Sequence, residues 1–585
     1  MSRRESKLLR CTILLLAAVT LPACESLLGI DGYEDRAPGA GTDTAANLPA
    51  DDGTTPDPEN TTTTKPKTAT DGGTGSTVPT SKPGAIDFGA PPEGGPALDT
   101  KTCPALAMPM GAAGVYVDAN ALGAESGTKT APFHTVAKAF ASAAPKAIVW
   151  IAAGTYKENL VIPNKDLFVQ GGFAPGFAKR TNACATVLEA KVPAQPVLSA
   201  DDSVARFTLE GATVQKGARG IAVDGDYQGK ATFTLARCVF SENGDVNQVG
   251  GAAMLANVNA RVFGSVFKDN RAAKGAALSS GGAVTLTVDQ NVFLRNIGYA
   301  DHGGGLYIAA KTSKISRNTF RGNATGAGSV GHGWGGAVIV YKDGPGATNV
   351  AFSYNVFTEN LAGIGGAVFI DDGAVATMSH DLFYRNRAYR ENGYVRGAAI
   401  YVDGTGLGPA GASTLTAEYL TVVNNRYDEQ GSLAAIVDAV GGNVYVEGQS
   451  KASFTSSVFW NNGDRGFYAE ASSEVNVSYS AGASTCTSSD ARGFITASST
   501  ICKMGSGVFL PTSTTIGFAN EAGDDYHQLS TAGRYVNGAW VTDTTSSATI
   551  DKGDPGAGAA SEPGPNGSRS NLGVYGGTME ASKSP

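Results

Sequence analysis

Val266-Phe267-x-x-Asn270, Val292-Phe293-x-x-Asn296, Thr319-Phe320-x-x-Asn323 and Val356-Phe357-x-x-Asn360 are four copies of one five-residue pattern. Two more flank them, Val239-Phe240-x-x-Asn243 and Leu382-Phe383-x-x-Asn386. A degenerate copy, Val422-x-x-Asn425, and a clean one, Phe459-x-x-Asn462, follow. The steps from Phe240 to Phe383 are 27, 26, 27, 37 and 26 residues. A fixed period of that size means stacked repeats, none of which can bury a core without its neighbour.

Each period has a second landmark, Gly-Gly-Ala followed by alternating residues, as in Gly335-Gly336-Ala337-Val338-Ile339-Val340 and Gly365-Gly366-Ala367-Val368-Phe369-Ile370. Variants begin at Gly303, Gly397 and Gly441. These runs are short, rich in β-branched and aromatic residues, and bounded by Gly, Asn and Asp, with no helical period between them. About three strands and their turns fit in one period. The pattern therefore predicts an all-β fold, a right-handed parallel β-helix solenoid with one coil per repeat, rising about 4.8 Å per coil. The Phe residues should stack inside. The Asn residues should stack at a turn, where Asn tolerates left-handed geometry and forms side-chain ladders.

The Gly-Gly-Ala and Phe-x-x-Asn landmarks resemble the repeats of chlamydial polymorphic outer-membrane proteins. The N-terminal part is similar to the pectate-lyase-like superfamily. There Gly114 to Asp118 leads to Pro132-Phe133-x-Thr135, an Ala-rich stretch from Val136 to Ala144, and the run Ile148 to Asn159. The resemblance implies a capping helix over 135–144 and then the first coil. Asp525-Tyr526-His527, Ile550-Asp551-x-Gly553-Asp554 and Asn571 to Gly577 resemble the closing segment of secreted bacterial β-helix proteins, which usually carry Asp where Asn571 stands. That superfamily holds lyases, hydrolases, esterases and non-enzymes, so likeness to it leaves activity open.

The chain has 585 residues, formal charge −8, 17% charged residues and 77 Gly. Such a lightly charged acidic chain is a poor nucleic-acid binder. Arg3, Arg4, Lys7 and Arg10 precede a short apolar stretch and Leu21-Pro22-Ala23-Cys24, which resembles a bacterial lipobox. The expected organisation is a signal peptide over 1–23, a lipidated, disordered Thr/Pro/Gly-rich tether over 24–102, and an N-terminal cap with first coils over 103–200. The β-helix repeats then occupy 201–480, and C-terminal coils with the closing segment occupy 481–585. Lipidation at Cys24 implies a bacterial outer-membrane or cell-surface location, with the membrane as a partner. Of the seven Cys, Cys486 and Cys502 are expected to pair, Cys103 and Cys184 can pair across the cap, and Cys238 is expected to be a buried free thiol.

Alignment on Gly-Gly-Ala puts aliphatic residues inside at the fourth and sixth positions. The fifth then faces out and holds Met254, Ser279, Tyr307, Ile339, Phe369, Tyr401 and Tyr445, with Tyr468 next. Such an aromatic column suits stacking of sugar rings, or is a ladder lying under loops. The seventh position holds Asp371, Asp403 and Glu447. Three stacked carboxylates can bind Ca²⁺ as in pectate lyases, act as an acid pair in glycoside hydrolysis, or be ordinary acidic-Gly turns. The segment from each coil's Asn to the next Gly-Gly grows from four residues after Asn270 and Asn360 to six after Asn296, 11 after Asn323, 10 after Asn386 and 15 after Asn425. These insertions hold His302, His332, Trp334, Tyr389, Arg390, Arg396 and Tyr427, a mixture that suits polysaccharide recognition or any solvated loop. Spacing alone places no Arg over the acidic column. The functional expectation is a non-catalytic surface lipoprotein that binds polysaccharide or cell-surface components. A lyase or hydrolase using the acidic column, and a structural spacer, remain as alternatives. Cys24→Ala should move the protein from washed membranes to the soluble fraction, as immunoblotting of the two fractions will show.

Overall fold

The computed structural model describes residues 103–108, 114–200, 204–225, 230–282, 284–326, 333–342, 348–389, 396–404, 411–428, 443–462, 466–470, 472–482, 495–496, 502–509 and 516–585. The chain divides into two units, Met1–Asp31 with Gly94–Pro585, and Gly32–Glu93. The described residues belong to the first. The signal-peptide and tether expectations, Cys24 included, lie outside the described residues.

Strands recur in a strict order along the chain and pair with the equivalent strand one coil away. Among the described residues this gives parallel sheets of 14, 12, 12 and six strands. Sheet 1 runs from Val115–Val117 to Cys502–Met504, sheet 2 from Gly154–Lys157 to Ala481–Gly482, and sheet 3 from Leu160–Val161 to Ile495–Thr496. The six-stranded sheet, Arg271–Lys274 to Arg426–Asp428, lies in sequence between sheets 2 and 3. The fold is the right-handed parallel β-helix that the repeats predict.

Phe240, Phe267, Phe293, Phe320, Phe357 and Phe383 form one internal column, fully buried. Their rings stack with centroids 4.6 to 5.0 Å apart. The strand register sets that spacing. Burying each ring contributes on the order of 2 kcal/mol.

Next to the column, Asn243, Asn270, Asn296, Asn323, Asn360, Asn386, Asn425 and Asn462 are buried in a row. Asn296 shows the rule. Its N–H and Nδ2 donate to Asn323 Oδ1 at 3.1 and 2.9 Å, and its Nδ2 also donates to the Phe267 carbonyl at 2.9 Å. The side chain thus satisfies backbone groups that the bend would otherwise orphan. The left-handed residue is not Asn, however, but the one before it: Glu242, Asp269, Arg295, Glu359 and Arg385 have φ of 50 to 58°. Each such non-Gly residue costs about 1–2 kcal/mol, which the ladder's hydrogen bonds offset.

A second ladder lies at the bend between sheets 1 and 2, where the repeats did not announce one. Ser265, Asn291, Asn318, Asn355 and Asp381 follow one another, each N–H donating to the next side chain at 2.7 to 3.0 Å. The Gly-Gly landmark makes the bend before sheet 3. Gly365 has φ 63°, and a Cβ on Gly366 would collide with the Ala398 carbonyl oxygen.

At the N-terminal end the helix Val136–Ser142 buries Val136, Ala139 and Phe140 against the core. Thr135 caps it by accepting from Lys138 N. The Glu158 carboxylate accepts from Val136 N at 2.8 Å and Ala137 N at 2.9 Å. The helix is shorter than the expected 135–144, because Ala143 already turns out with ψ 133°. A disulfide joins Cys103 to Cys184. Cys238 is a buried free thiol, pushed up to about 11 by burial. Cys486, and the side chain of Cys502, lie outside the described residues.

The C-terminal segment lies on the outer face of sheet 2. Ile516, Phe518, Tyr526 and Leu572 pack against Leu382, Val423, Val458 and Ala481. His380 Nε2 donates to the Gly576 carbonyl at 2.9 Å. Asn571 accepts from Asp551 N and donates to the Ser582 carbonyl, a donation that an ionised Asp could not make.

Asp381 takes the place of an Asn in the second ladder. Its Oδ1 accepts both Asn355 bonds, and its Oδ2 sits buried without a partner where Asn291, Asn318 and Asn355 carry an amide donor. Burial pushes its carboxyl up to about 7 against the Asn355 donors that lower it. The folded chain therefore holds this proton more tightly than the unfolded chain, so stability falls as pH rises from about 4 to about 7 and is level above. Asp381→Asn should stabilise the protein by about 1–2 kcal/mol at pH 8 and by less at pH 5, as read from urea unfolding at both pH values.

Candidate functional site

Sheet 3 carries the aromatic column. Strand register stacks Ser279, Tyr307, Ile339, Phe369, Tyr401, Tyr445 and Tyr468 in consecutive coils. The Phe369–Tyr401, Tyr401–Tyr445 and Tyr445–Tyr468 rings are parallel, 4.7 to 5.1 Å apart.

The column faces away from the Phe core, yet it is not open to solvent. Phe369, Tyr401 and Tyr445 are only 1–2% exposed, and Tyr307 is half-buried. The cover is the turn that precedes each Gly-Gly. His302, Trp334, Ile364 and Arg396 pair in successive coils there. Trp334 stacks on Phe369 at 5.6 Å, and the Arg396 guanidinium sits 5.3 Å from the centre of the Tyr445 ring. The expectation of an open sugar platform at Tyr307, Phe369, Tyr401 and Tyr445 is therefore corrected: the residues that swell the coils close over it. Trp334 belongs to that cover. Tyr389 ends the strand Arg387–Tyr389, but its side chain and all of Arg390 lie outside the described residues, as does His332.

The carboxylates lie one residue beyond each strand of sheet 3. Asp371 N, Asp403 N and Glu447 N donate to the last carbonyl of the preceding coil's strand at 2.8 to 2.9 Å, which keeps the three in register. The row continues to Glu470, whose N–H bonds to the Val446 carbonyl. Glu470 was missed because its coil lacks the Gly-Gly landmark. The signal was Tyr468, which as a fifth-position residue puts Glu470 at the seventh.

Burial raises all three acids of the predicted set. Asp371 is pushed up to about 8 by burial and then by Asp372 and Asp403. Asp403 is pushed up to about 6, again by burial first. Glu447 is raised by burial and by Asp403. Asp371 and Asp403 each accept a turn N–H, from Asp372 and Gly404. Glu447 faces Arg396, whose Nη1 donates to both carboxylate oxygens at 3.0 and 3.1 Å. Tyr401 donates its hydroxyl to the same carboxylate, and Tyr445 donates to Glu470 at 2.6 Å. Arg396 Nη2 lies 3.9 Å from Glu470.

Two expectations change here. An Arg does sit over the acidic row, brought by an insertion whose path the spacing does not reveal. The proposed Ca²⁺ set of Asp371, Asp403 and Glu447 does not converge: among the described residues no group of three or more His, Cys, Asp and Glu is arranged to hold a metal ion. Arg396 supplies the positive charge that a cation would bring.

Residues 197–409 match the family described as "Right handed beta helix region", and residues 119–161 match "Protein of unknown function (DUF1565)". Comparison with curated proteins gives no match. Among solved structures the chain is similar to "Crystal structure of pectate lyase Pel9A", at 12% identity and a TM-score of 0.29, covering 80% of this chain and 97% of that one. The fold rests on the family match and on the parallel sheets, not on that low score.

Arg396→Ala should leave Glu447 without its cation in a partly buried place and cost about 1–3 kcal/mol. Because Glu447 can escape by taking a proton, the loss should be larger at pH 9 than at pH 6 in paired thermal melts.

Proposed function

We propose that this protein is a lipid-anchored surface β-helix that binds polysaccharide or another cell-surface component without cleaving it, on the face of sheet 3. The supporting observation is where the coils vary in length. The bend between sheets 1 and 2 has two residues in coil after coil, as between Ser316 and Thr319, Ser353 and Val356, and Ser379 and Leu382. The extra residues fall on both sides of sheet 3: after Asn323, Asn386 and Asn425 on one side, and after Val340 and Val402 on the other. Variable segments gathered around one face of a constant scaffold suit a recognition surface.

The absence of catalysis is argued from Arg396 and Glu447. A guanidinium held by a carboxylate, the Tyr445 ring and the Tyr401 hydroxyl is not free to take a proton, and its partner carboxylate is neutralised. Polysaccharide cleavage is the second reading. It is favoured by Asp371 and Asp403, whose raised values leave one protonated and one largely ionised near neutral pH.

A glycan array and a reducing-end assay on the detergent-solubilised full chain separate these readings. The expected result is retention of at least one polysaccharide, no new reducing ends, and binding weakened about tenfold by Arg396→Ala. Reducing ends that disappear in Asp403→Asn would establish cleavage instead. A blank array would leave a spacer.

A further inference from the structure

We propose that the outer face of sheet 1 is a second, separate binding surface, for an extended polysaccharide that carries one anionic group per disaccharide. Six consecutive strands, Arg206–Glu210, Thr232–Ala236, Asn259–Phe263, Thr285–Asp289, Thr312–Ser316 and Asn349–Ser353, pair in register. Their second and fourth residues point into the core, so the first, third and fifth face outward.

The first and third positions of these six strands are twelve sites. They hold three cations, six Thr, two Asn, one Ala and no carboxylate. In a chain with net charge −8 this is a local reversal of sign. The two carboxylates at fifth positions are already neutralised: Glu210 by Arg180 at 3.2 Å and Arg237 at 3.7 Å, and Asp289 by Arg317 at 2.6 Å. The cations are exposed, and Arg261 lies over the Phe263 ring at 5.6 Å, which fixes its stem against the sheet.

Their order is periodic. Arg261 and Lys314 share the third-position row two coils apart, and Arg206 stands two coils before Arg261 in the adjacent first-position row. One coil rises about 4.8 Å, so a cation recurs about every 9.6 Å along the solenoid. That is close to the length of a disaccharide in an extended glycan. Thr234 and Thr287 flank Arg261 in the same row, and Thr287 also adjoins Lys314. They offer hydroxyl donors and acceptors for the sugar between charges. A glycan lying across the strands would meet a cation at each acidic sugar and a Thr at each neutral one.

The test uses the full chain in detergent, with hyaluronate as the alternating anionic probe and dextran as the neutral one. Hyaluronate should bind, with affinity falling as salt rises, and dextran should not. Arg261→Thr with Lys314→Thr should weaken hyaluronate binding roughly five- to tenfold, and both side chains are exposed enough to be replaced without unfolding. Lys129→Thr with Lys191→Thr makes the same charge change on exposed residues elsewhere and should have little effect. Equal losses from the two pairs, or no hyaluronate binding, would overturn the proposal. Neither pair touches Arg396 or Glu447, so failure here leaves the sheet 3 reading standing.

Discussion

Parallel strand pairing at one coil per repeat brings equivalent side chains within about 5 Å of each other for the length of the sheets. Everything else in this molecule answers to that spacing. Phenylalanine accepts it readily, since Phe240 to Phe383 stack ring on ring in the core. A buried polar residue accepts it only if it both donates and accepts, and Asn does so. The first ladder turns one amide per coil into partners for two backbone groups, at a bend that holds a left-handed residue in every turn. Asp381 shows the limit of the rule, because a carboxylate can accept from Asn355 but has nothing to donate.

The same spacing explains how sheet 3 came to be covered. An outward aromatic column of this density is a large apolar surface, which water penalises. The insertions lie directly before each Gly-Gly bend, so the last inserted residue lands beside the column. Trp334, Ile364 and Arg396 occupy that place in successive coils. Trp334 and Ile364 add apolar cover, whereas Arg396 adds a charge that reaches past Tyr401 to the carboxylates. The aromatic column and the acidic row are thus one structure, joined by the Arg396 guanidinium and by the Tyr401 and Tyr445 hydroxyls.

The period and the Phe and Asn positions were legible because each recurs at a fixed offset and each has one physical use. The second ladder was harder to read, since Ser265 and Asp381 stand at its ends and leave only three Asn between them. Its signal was the Asn that precedes Val292, Thr319 and Val356. At the site, alternation gave the direction of Tyr401 and Tyr445 correctly but said nothing of what lies over them. Burial of an outward face depends on the path of the insertions, and insertions carry no period. Arg396 was therefore visible as a residue but not as the partner of Glu447. Glu470 was hidden for the opposite reason, because its coil had lost the landmark on which the others were aligned.

Stacked rows also constrain charge, and the molecule meets that constraint in distinct ways. Near the bend after sheet 2, opposite charges pair across neighbouring coils: Arg295 with Asp269 and Arg321 with Glu359. On sheet 1, Arg261 and Lys314 are separated by Thr287, so like charges are never in adjacent coils. The acidic row does neither. Asp371, Asp403, Glu447 and Glu470 follow one another in four consecutive coils, and burial raises the first three toward their neutral forms. Such an arrangement costs stability unless protons or Arg396 relieve it. This row lies where the coils gain residues on both sides of sheet 3. Arrangements that cost stability concentrate where something other than stability is being satisfied, which is the physical ground for the proposal that recognition sits there.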